Sequence, residues 1–245
     1  MEYYDALHKL WARAHAAGSP IKFVRNSVVF KELDKLIPGR TLDAGCGSGE
    51  YSLFLSQRGH LVTAFDPSSF AIKELLKRSN GLLSIKAEVN SIEGFHSPIL
   101  FDNIVSIEVF EHVEFDKIAA QKLFSLLKHG GLMVISVPAI PFLYSKADKI
   151  SGHYRRYSED DFQNLLVGAG FQKIQIRRYG FPMLFFYSLI RKLFLDRILL
   201  SYFSSPPAGG KKGKSILSKL YSALLKIDQM NVPFLNVGFV ARCQK

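Results

Sequence analysis

The chain has 245 residues, 48% of them apolar and 22% charged, with 32 Lys/Arg against 21 Asp/Glu and a net charge of +11. This composition excludes global disorder and supports a sizeable core, in one domain with elaborations or at most two. Two distant cysteines, Cys46 and Cys243, exclude a disulfide framework and a cysteine zinc site, and fit a reducing, cytoplasmic setting. The charge is uneven: residues 1–140 carry 15 basic and 15 acidic side chains, whereas 141–245 carry 17 and 6. A neutral front half joined to a basic back half points to two different jobs.

In chain order, residues 3–17 and 21–37 read as two helices split by Gly18-Ser19-Pro20, a helical lid over 1–37. The opening MEYYDALHKLWARAH lacks the apolar run of a secretory leader. From Arg40 a rhythm begins: strand 40–44, helix 49–58, strand 61–65, helix 69–79, strands 82–86 and 101–107, helix 116–128, strand 132–137. Short β-branched strands alternating with amphipathic helices predict βαβ units and a parallel sheet. Residues 138–157 contain two prolines and no clear period, and read as an inserted loop over the sheet edge on the substrate side. Ser158–Ala169 reads as a helix capped by Ser158, followed by strand 171–178. An apolar helix over 181–203, a basic loop over 204–215, a helix over 216–227 and a closing strand over 234–241 complete the domain 38–245. Within it, 181–230 reads as an apolar and basic helical insertion.

The segment Thr41–Glu50 (TLDAGCGSGE) follows the first strand and opens a helix. Glycines at such a bend let backbone approach a ligand closely, and the helix N-terminus offers N–H groups. The second strand ends in Asp66, 17 residues past Gly49, where a carboxylate can accept both hydroxyls of a ribose. Position six of a dinucleotide fingerprint counted from Gly45 is Glu50, so that fingerprint fails, and there is no phosphate-binding G-x-x-x-x-G-K-[ST] loop. Asp43, just before the glycines, suits a cationic ligand, one with an amino group and a sulfonium.

The run Asp43-Ala44-Gly45-Cys46-Gly47-Ser48-Gly49, with Asp66 after the next strand, resembles motif I of the class I S-adenosylmethionine-dependent methyltransferases. The resemblance spans about residues 38–180. It implies a Rossmann-like α/β fold, a seven-stranded, mostly parallel sheet with helices on both faces and a reversed last strand. It also implies S-adenosyl-L-methionine as cofactor. Gly45, Gly47 and Gly49 would line its methionine portion, Asp66 its ribose hydroxyls, and Glu88 with Val89 its adenine edge; Asp43, Cys46 and Pro67 would complete the cofactor-binding set. Glu108, after the fourth strand, would lie beside the methyl group.

Glu108-Val109-Phe110-Glu111-His112 carries an E-x-x-E-H pattern, similar to ubiquinone-pathway O-methyltransferases and to small-RNA 2′-O-methyltransferases. In a helical turn Glu108 and His112 share a face as i and i+4. His153 follows in the inserted loop. Three readings stand side by side. His112 or His153, oriented by Glu111, is a general base for a hydroxyl acceptor; Glu108, Glu111, His112 and His153 hold a divalent metal; or the group is structural or substrate-lining, with Glu111 and His112 only hydrogen-bonding the loop. The segment Gly152-His153-Tyr154-Arg155-Arg156-Tyr157 is similar to a substrate-covering loop of bacterial methyltransferases of the type 11, 12 and 23 group. Tyr154, Arg155 and Arg156 would there hold an acidic or phosphate-bearing acceptor.

In the tail, Leu184, Tyr187, Ile190 and Phe194 form one apolar face, extended by Leu195 and Ile198, with Arg191, Lys192, Asp196 and Arg197 opposite. Lys211, Lys212 and Lys214 follow. The run Phe181–Ile190 is short of the roughly 20 apolar residues that span a bilayer. The face either roofs a hydrophobic pocket or lies at the inner membrane surface through 181–214. No nucleic-acid module is present, so RNA is the lesser acceptor beside a small lipid-linked or phosphorylated molecule and a quinone-ring carbon. A non-catalytic, membrane-surface binding protein on the same fold is the rival of another class.

Overall fold

The structure is a computed structural model and describes residues 2–6, 8–9, 20–190, 192 and 236–245. Its sheet has seven strands: β1 Arg40–Ala44, β2 Leu61–Asp66, β3 Ile85–Val89, β4 Phe101–Ile107, β5 Leu127–Pro138, β6 Gln172–Tyr179 and β7 Gly238–Gln244. They lie in the order β3-β2-β1-β4-β5-β7-β6. Strands β1 to β5 pair in parallel, while β7 runs antiparallel between β5 and β6. The expected mostly parallel sheet with one reversed last strand is therefore present.

The central strands are near-continuous apolar runs because both faces are covered. On one face, helices Asp116–Leu126 and Glu159–Ala169 bury Ala120, Leu123, Phe162 and Leu166. On the other, helices Pro20–Leu33, Glu50–Ser56 and Ser69–Ser79 bury Val29, Leu33, Leu55 and Leu75. The chain winds outward from β1 to β3, then returns to lay β4 on the other side of β1. That reversal opens a crevice at the carboxyl ends of β1 and β4, where ligands of open α/β sheets bind.

Several boundaries differ from expectation. Strand β5 starts at Leu127 rather than Leu132, directly after the helix Asp116–Leu126, because Leu127 already pairs with Phe101 of β4. Strand β3 starts at Ile85 rather than Leu82, because Leu82 and Leu83 lie on the surface after the left-handed Asn80 and Gly81 turn. Strand β7 runs to Gln244 rather than Ala241, carried by its pairing with Leu132 and Gln172. The segment 138–157 is more ordered than a loop: it holds a 3₁₀ turn, Pro141–Leu143, and a short helix, Lys146–Ile150.

The helix Met183–Ile190 forms the start of the expected helix 181–203. Residues 10–19, 191, Phe194, Leu195, Asp196, Arg197, Ile198, the loop 204–215 with Lys211, Lys212 and Lys214, and the helix 216–227 lie outside the described residues. Among the described residues no helix is long and apolar enough to cross a membrane.

Candidate active site

A cavity of about 470 Å³ opens at the carboxyl ends of β1 and β4. One wall is Gly45, Cys46, Gly47, Asp66 and Pro67; the other is Glu108, Glu111, His112, His153 and Arg156.

The glycine turn is shaped by backbone that only glycine adopts easily. Gly45 and Gly49 have φ of +79° and +80°. A Cβ on Gly45 would sit 2.5 Å from Val109 Cγ2, and one on Gly49 would sit 2.1 Å from Leu75 Cδ1. Gly45 N and Cys46 N donate to Phe65 O, which ties the turn to the end of β2. Gly47 N and Ser68 N donate to the two oxygens of Asp66, each at 2.9 Å. Asp66 is thus held as a fixed acceptor at the cavity wall.

Asp43 and Gly49 sit behind this wall rather than in it. Asp43 is buried and accepts from Ser52 Oγ at 2.5 Å; burial pushes its pKa up to about 7. Gly49 serves as the left-handed N-cap of helix Glu50–Ser56. Glu88 and Val89 line neither this cavity nor a neighbouring one of about 370 Å³. Because β3 runs to Val89, Glu88 instead accepts from Asn90 Nδ2, and Ser91, Ile92 and Glu93 reach the second cavity beside Phe65, Pro67 and Val109.

After β4 the chain makes a 3₁₀ turn, Phe110–His112, so the i and i+4 pairing of Glu108 with His112 does not form. Glu108 has φ +56° and turns its carboxylate to Ser136 Oγ at 2.9 Å and to Arg25 Nη1 at 3.1 Å. Glu111, His112 and His153 instead come together, with one ligand atom from each within 4.8 Å of the others. Glu111 is 0% exposed, and neither of its carboxylate oxygens has a hydrogen-bond partner. Burial, then the charge of Glu108, push its pKa well above the ordinary range.

His112 Nδ1 lies 3.2 Å from Gly152 O, which only accepts, so that nitrogen carries hydrogen. Burial and the neighbouring His153 pull its pKa down to about 3, so the ring is neutral at physiological pH. His153 meets His112 edge-on, with ring centroids 4.6 Å apart. Its Nδ1 lies 3.0 Å from Oδ1 of buried Asp148.

The expected substrate-side residues divide. Tyr154 is exposed and lines the second cavity. Arg155 turns away from the main cavity: Nη1 lies 2.8 Å from Asp116 Oδ2 and Nη2 donates to Glu114 O. Arg156 reaches the cavity, but its guanidinium is engaged by Asp148 through Nε at 2.9 Å and Nη2 at 2.8 Å. From the N-terminus, Tyr4 lines both cavities and His8 Nε2 lies 3.3 Å from Asp66 Oδ1. Asp5 accepts from Ser68 Oγ, Ser69 Oγ and Phe70 N, which holds its carboxyl down at about 2.

Sequence reasoning missed Arg25, Ser136 and Asp148. Asp148 had a signal: Ser145-x-x-Asp148 is a capping-box spacing, and the structure forms that box. Arg25 had none, because its role depends on where the helix Pro20–Leu33 docks.

These features define a class. A model of the methyltransferase domain matches residues 5–176, and the chain belongs to that family, the class I methyltransferases that use S-adenosyl-L-methionine. The glycine cradle closed by Val109 and the fixed acceptor Asp66 fit a nucleoside-containing cofactor.

Among individual relatives, the chain is 31% identical over 147 residues to the mitochondrial ubiquinone biosynthesis O-methyltransferase of Schizosaccharomyces pombe, covering 56% of this chain and 53% of that protein. It is 35% identical over 116 residues to the ubiquinone biosynthesis O-methyltransferase of a Bradyrhizobium strain, covering 47% of this chain and 45% of that one. The chain spans about half the length of the curated relatives it matches. By fold it is similar to an S-adenosylmethionine-dependent methyltransferase from Mesorhizobium loti (TM-score 0.64, 14% identity, 94% of this chain and 99% of that one). It is also similar to phosphoethanolamine N-methyltransferase 2 of Haemonchus contortus (TM-score 0.62, 15% identity, 90% and 52%), solved with S-adenosyl-L-methionine.

Proposed function

We propose that the protein methylates a hydroxyl oxygen of a small acceptor, and that His153 takes the hydroxyl proton. The observation that carries this reading is the convergence of two imidazoles and a buried carboxyl group on one wall of the cavity. When bound, the cofactor supplies an electrophilic methyl: the O–C bond forms as the C–S bond breaks, and the electron pair stays on sulfur. The protein's own part is to hold the two reactants in line and to remove one proton. Gly45 and Gly47 would shape the cofactor's bed, and Asp66 would accept from its ribose hydroxyls. Residues 2–6 and 8–9, through Tyr4, Asp5 and His8, would close over that bed as a lid.

A lipid-linked aromatic acceptor is favoured by the names of the relatives. It also fits the exposed Phe142, Phe186, Tyr187 and Ile190, beside which Lys192 Nζ stacks on the Phe142 ring at 4.1 Å. Such exposed apolar side chains beside a lysine suit peripheral contact with a membrane carrying anionic lipid.

A second reading rests on one specific observation, the buried carboxyl group of Glu111, whose oxygens have no hydrogen-bond partner and of which one lies 4.0 Å from His112 Nε2. Glu111, His112 and His153 would hold a divalent cation, which would bind the acceptor oxygen and lower its pKa.

Incubation with methyl-deuterated S-adenosylmethionine and a panel of hydroxylated aromatics, followed by mass spectrometry and NMR of the products, tests the main reading. O-methyl ethers are expected; products methylated only on nitrogen or carbon would overturn it. Turnover that a chelator abolishes and Mn²⁺ or Zn²⁺ restores would assign the wall to a cation.

A further inference from the structure

We propose that Asp148 is a positioning residue: it holds the His153 ring in the Nδ1–H tautomer, so that Nε2 is the nitrogen left to act in the cavity. The inference rests on the reading of His153 given above, and it adds a group outside the E-x-x-E-H pattern.

A carboxylate only accepts hydrogen bonds, so the 3.0 Å contact of Asp148 Oδ1 with His153 Nδ1 places the hydrogen on Nδ1. In a neutral imidazole the lone pair is then on Nε2. The backbone reinforces this geometry. His153 N donates to Asp148 O at 2.9 Å, and Tyr144 Oη donates to His153 O at 2.7 Å.

Asp148 is itself fixed from every side. Ser145 N and Ser145 Oγ donate to Oδ2 at 2.9 and 3.0 Å, which starts the helix Lys146–Ile150. Arg156 grips Oδ1 through Nε and Nη2. One short segment, Ser145–Arg156, thus contains the imidazole, its orienting carboxylate and the guanidinium that grips this carboxylate. It is the arrangement in which a buried acid fixes the tautomer of a working histidine.

The competing explanation is a purely structural cap. Asp148→Asn keeps the size and can still accept from Ser145, but its amide can present N–H to His153 and favour the opposite tautomer. The variant is expected to lower kcat at least tenfold, and by up to about 10⁴-fold if the tautomer reverses fully. Cofactor affinity and KM should stay within about threefold. The acid limb of the kcat–pH profile should move, and Asp148→Glu should restore part of kcat. Histidine labelled with ¹⁵N gives a direct reading: wild-type His153 should show a protonated Nδ1, and this needs no variant to fold.

A wild-type ring protonated on Nε2 would overturn the inference. Unchanged kcat and pH profile in Asp148→Asn, alongside an inactive His153→Ala, would overturn it while leaving the role of His153 standing. Full activity in His153→Ala would instead overturn the underlying reading.

Discussion

Arg25 and Glu108, both lining the cavity, are joined to each other, with Arg25 Nη1 3.1 Å from Glu108 Oε2. Arg25 comes from the helix Pro20–Leu33 and Glu108 from the end of β4, 83 positions later in the chain, so one ion pair ties the N-terminal helix to the site. The pair is largely shielded from solvent, and Arg25 Nε has no partner of its own. Removing one member of such a pair leaves a desolvated charge. Glu108→Gln should therefore destabilise the protein by about 1–3 kcal/mol, a fall of several degrees in Tm for a chain of this size. In an Arg25→Met background the same change should cost much less. Thermal melts of the four-member cycle measure the coupling, and a coupling near zero would refute the tie.

Asp66 is the acceptor we propose for the cofactor's ribose. Its oxygens are already oriented by Gly47 N and Ser68 N, so little reordering is needed for it to accept hydroxyls. Asp66→Ala should weaken S-adenosylhomocysteine binding roughly 10- to 100-fold, as expected for losing hydrogen bonds to a charged group. Gly45→Ala should weaken it too, because its Cβ would meet Val109 and its φ is +79°. Calorimetry reads both, and an unchanged affinity in Asp66→Ala would refute the ribose assignment.

The strand–helix rhythm and the glycine turn were legible because they are local. A strand buried on both faces has to be apolar, and a left-handed turn against Val109 has to be glycine. What the chain order concealed was side-chain direction. Glu108 carries the same chemistry as Glu111, and only the 3₁₀ turn sends one to Arg25 and the other to the imidazoles. Arg155 and Arg156 are adjacent and equally basic, yet Asp116 takes one and Asp148 the other. Glu88 and Val89 were displaced by a three-residue shift of β3, whose register is set by pairing with β2. The apolar helix beyond Ile190 lies outside the described residues, so its predicted lipid face stands as a sequence reading.

Glu111 offers a test that separates the two readings of the histidine wall. Its folded pKa is raised, so its contribution to stability is fully present below the unfolded value of 4.5 and is lost as pH rises. Glu111→Gln removes that loss. At neutral pH and in the presence of chelator, the variant should melt no lower than wild type. Adding Mn²⁺ or Zn²⁺ to wild type should leave Tm unchanged on the general-base reading. A concentration-dependent rise, absent in Glu111→Gln, would follow from binding to the folded state alone and would establish the cation.

Asp43 makes a second, independent pH prediction. Its pKa is about 7 in the folded chain against 3.8 unfolded, chiefly through burial and opposed by the Ser52 hydrogen bond. Below pH 3.8 both states hold the proton and Asp43 costs nothing. Between 3.8 and about 7 the unfolded chain releases its proton while the folded chain keeps it, so stability falls with rising pH through that window. The full loss is on the order of a few kcal/mol. Asp43→Asn retains an oxygen for Ser52 Oγ and cannot ionise. The variant should therefore gain on wild type as pH rises from 5 to 8, with other titrating groups cancelling in the difference. Denaturant melts of both proteins at pH 5, 6.5 and 8 measure this, and a gap that does not change with pH would show that Asp43 is already ionised in the folded state.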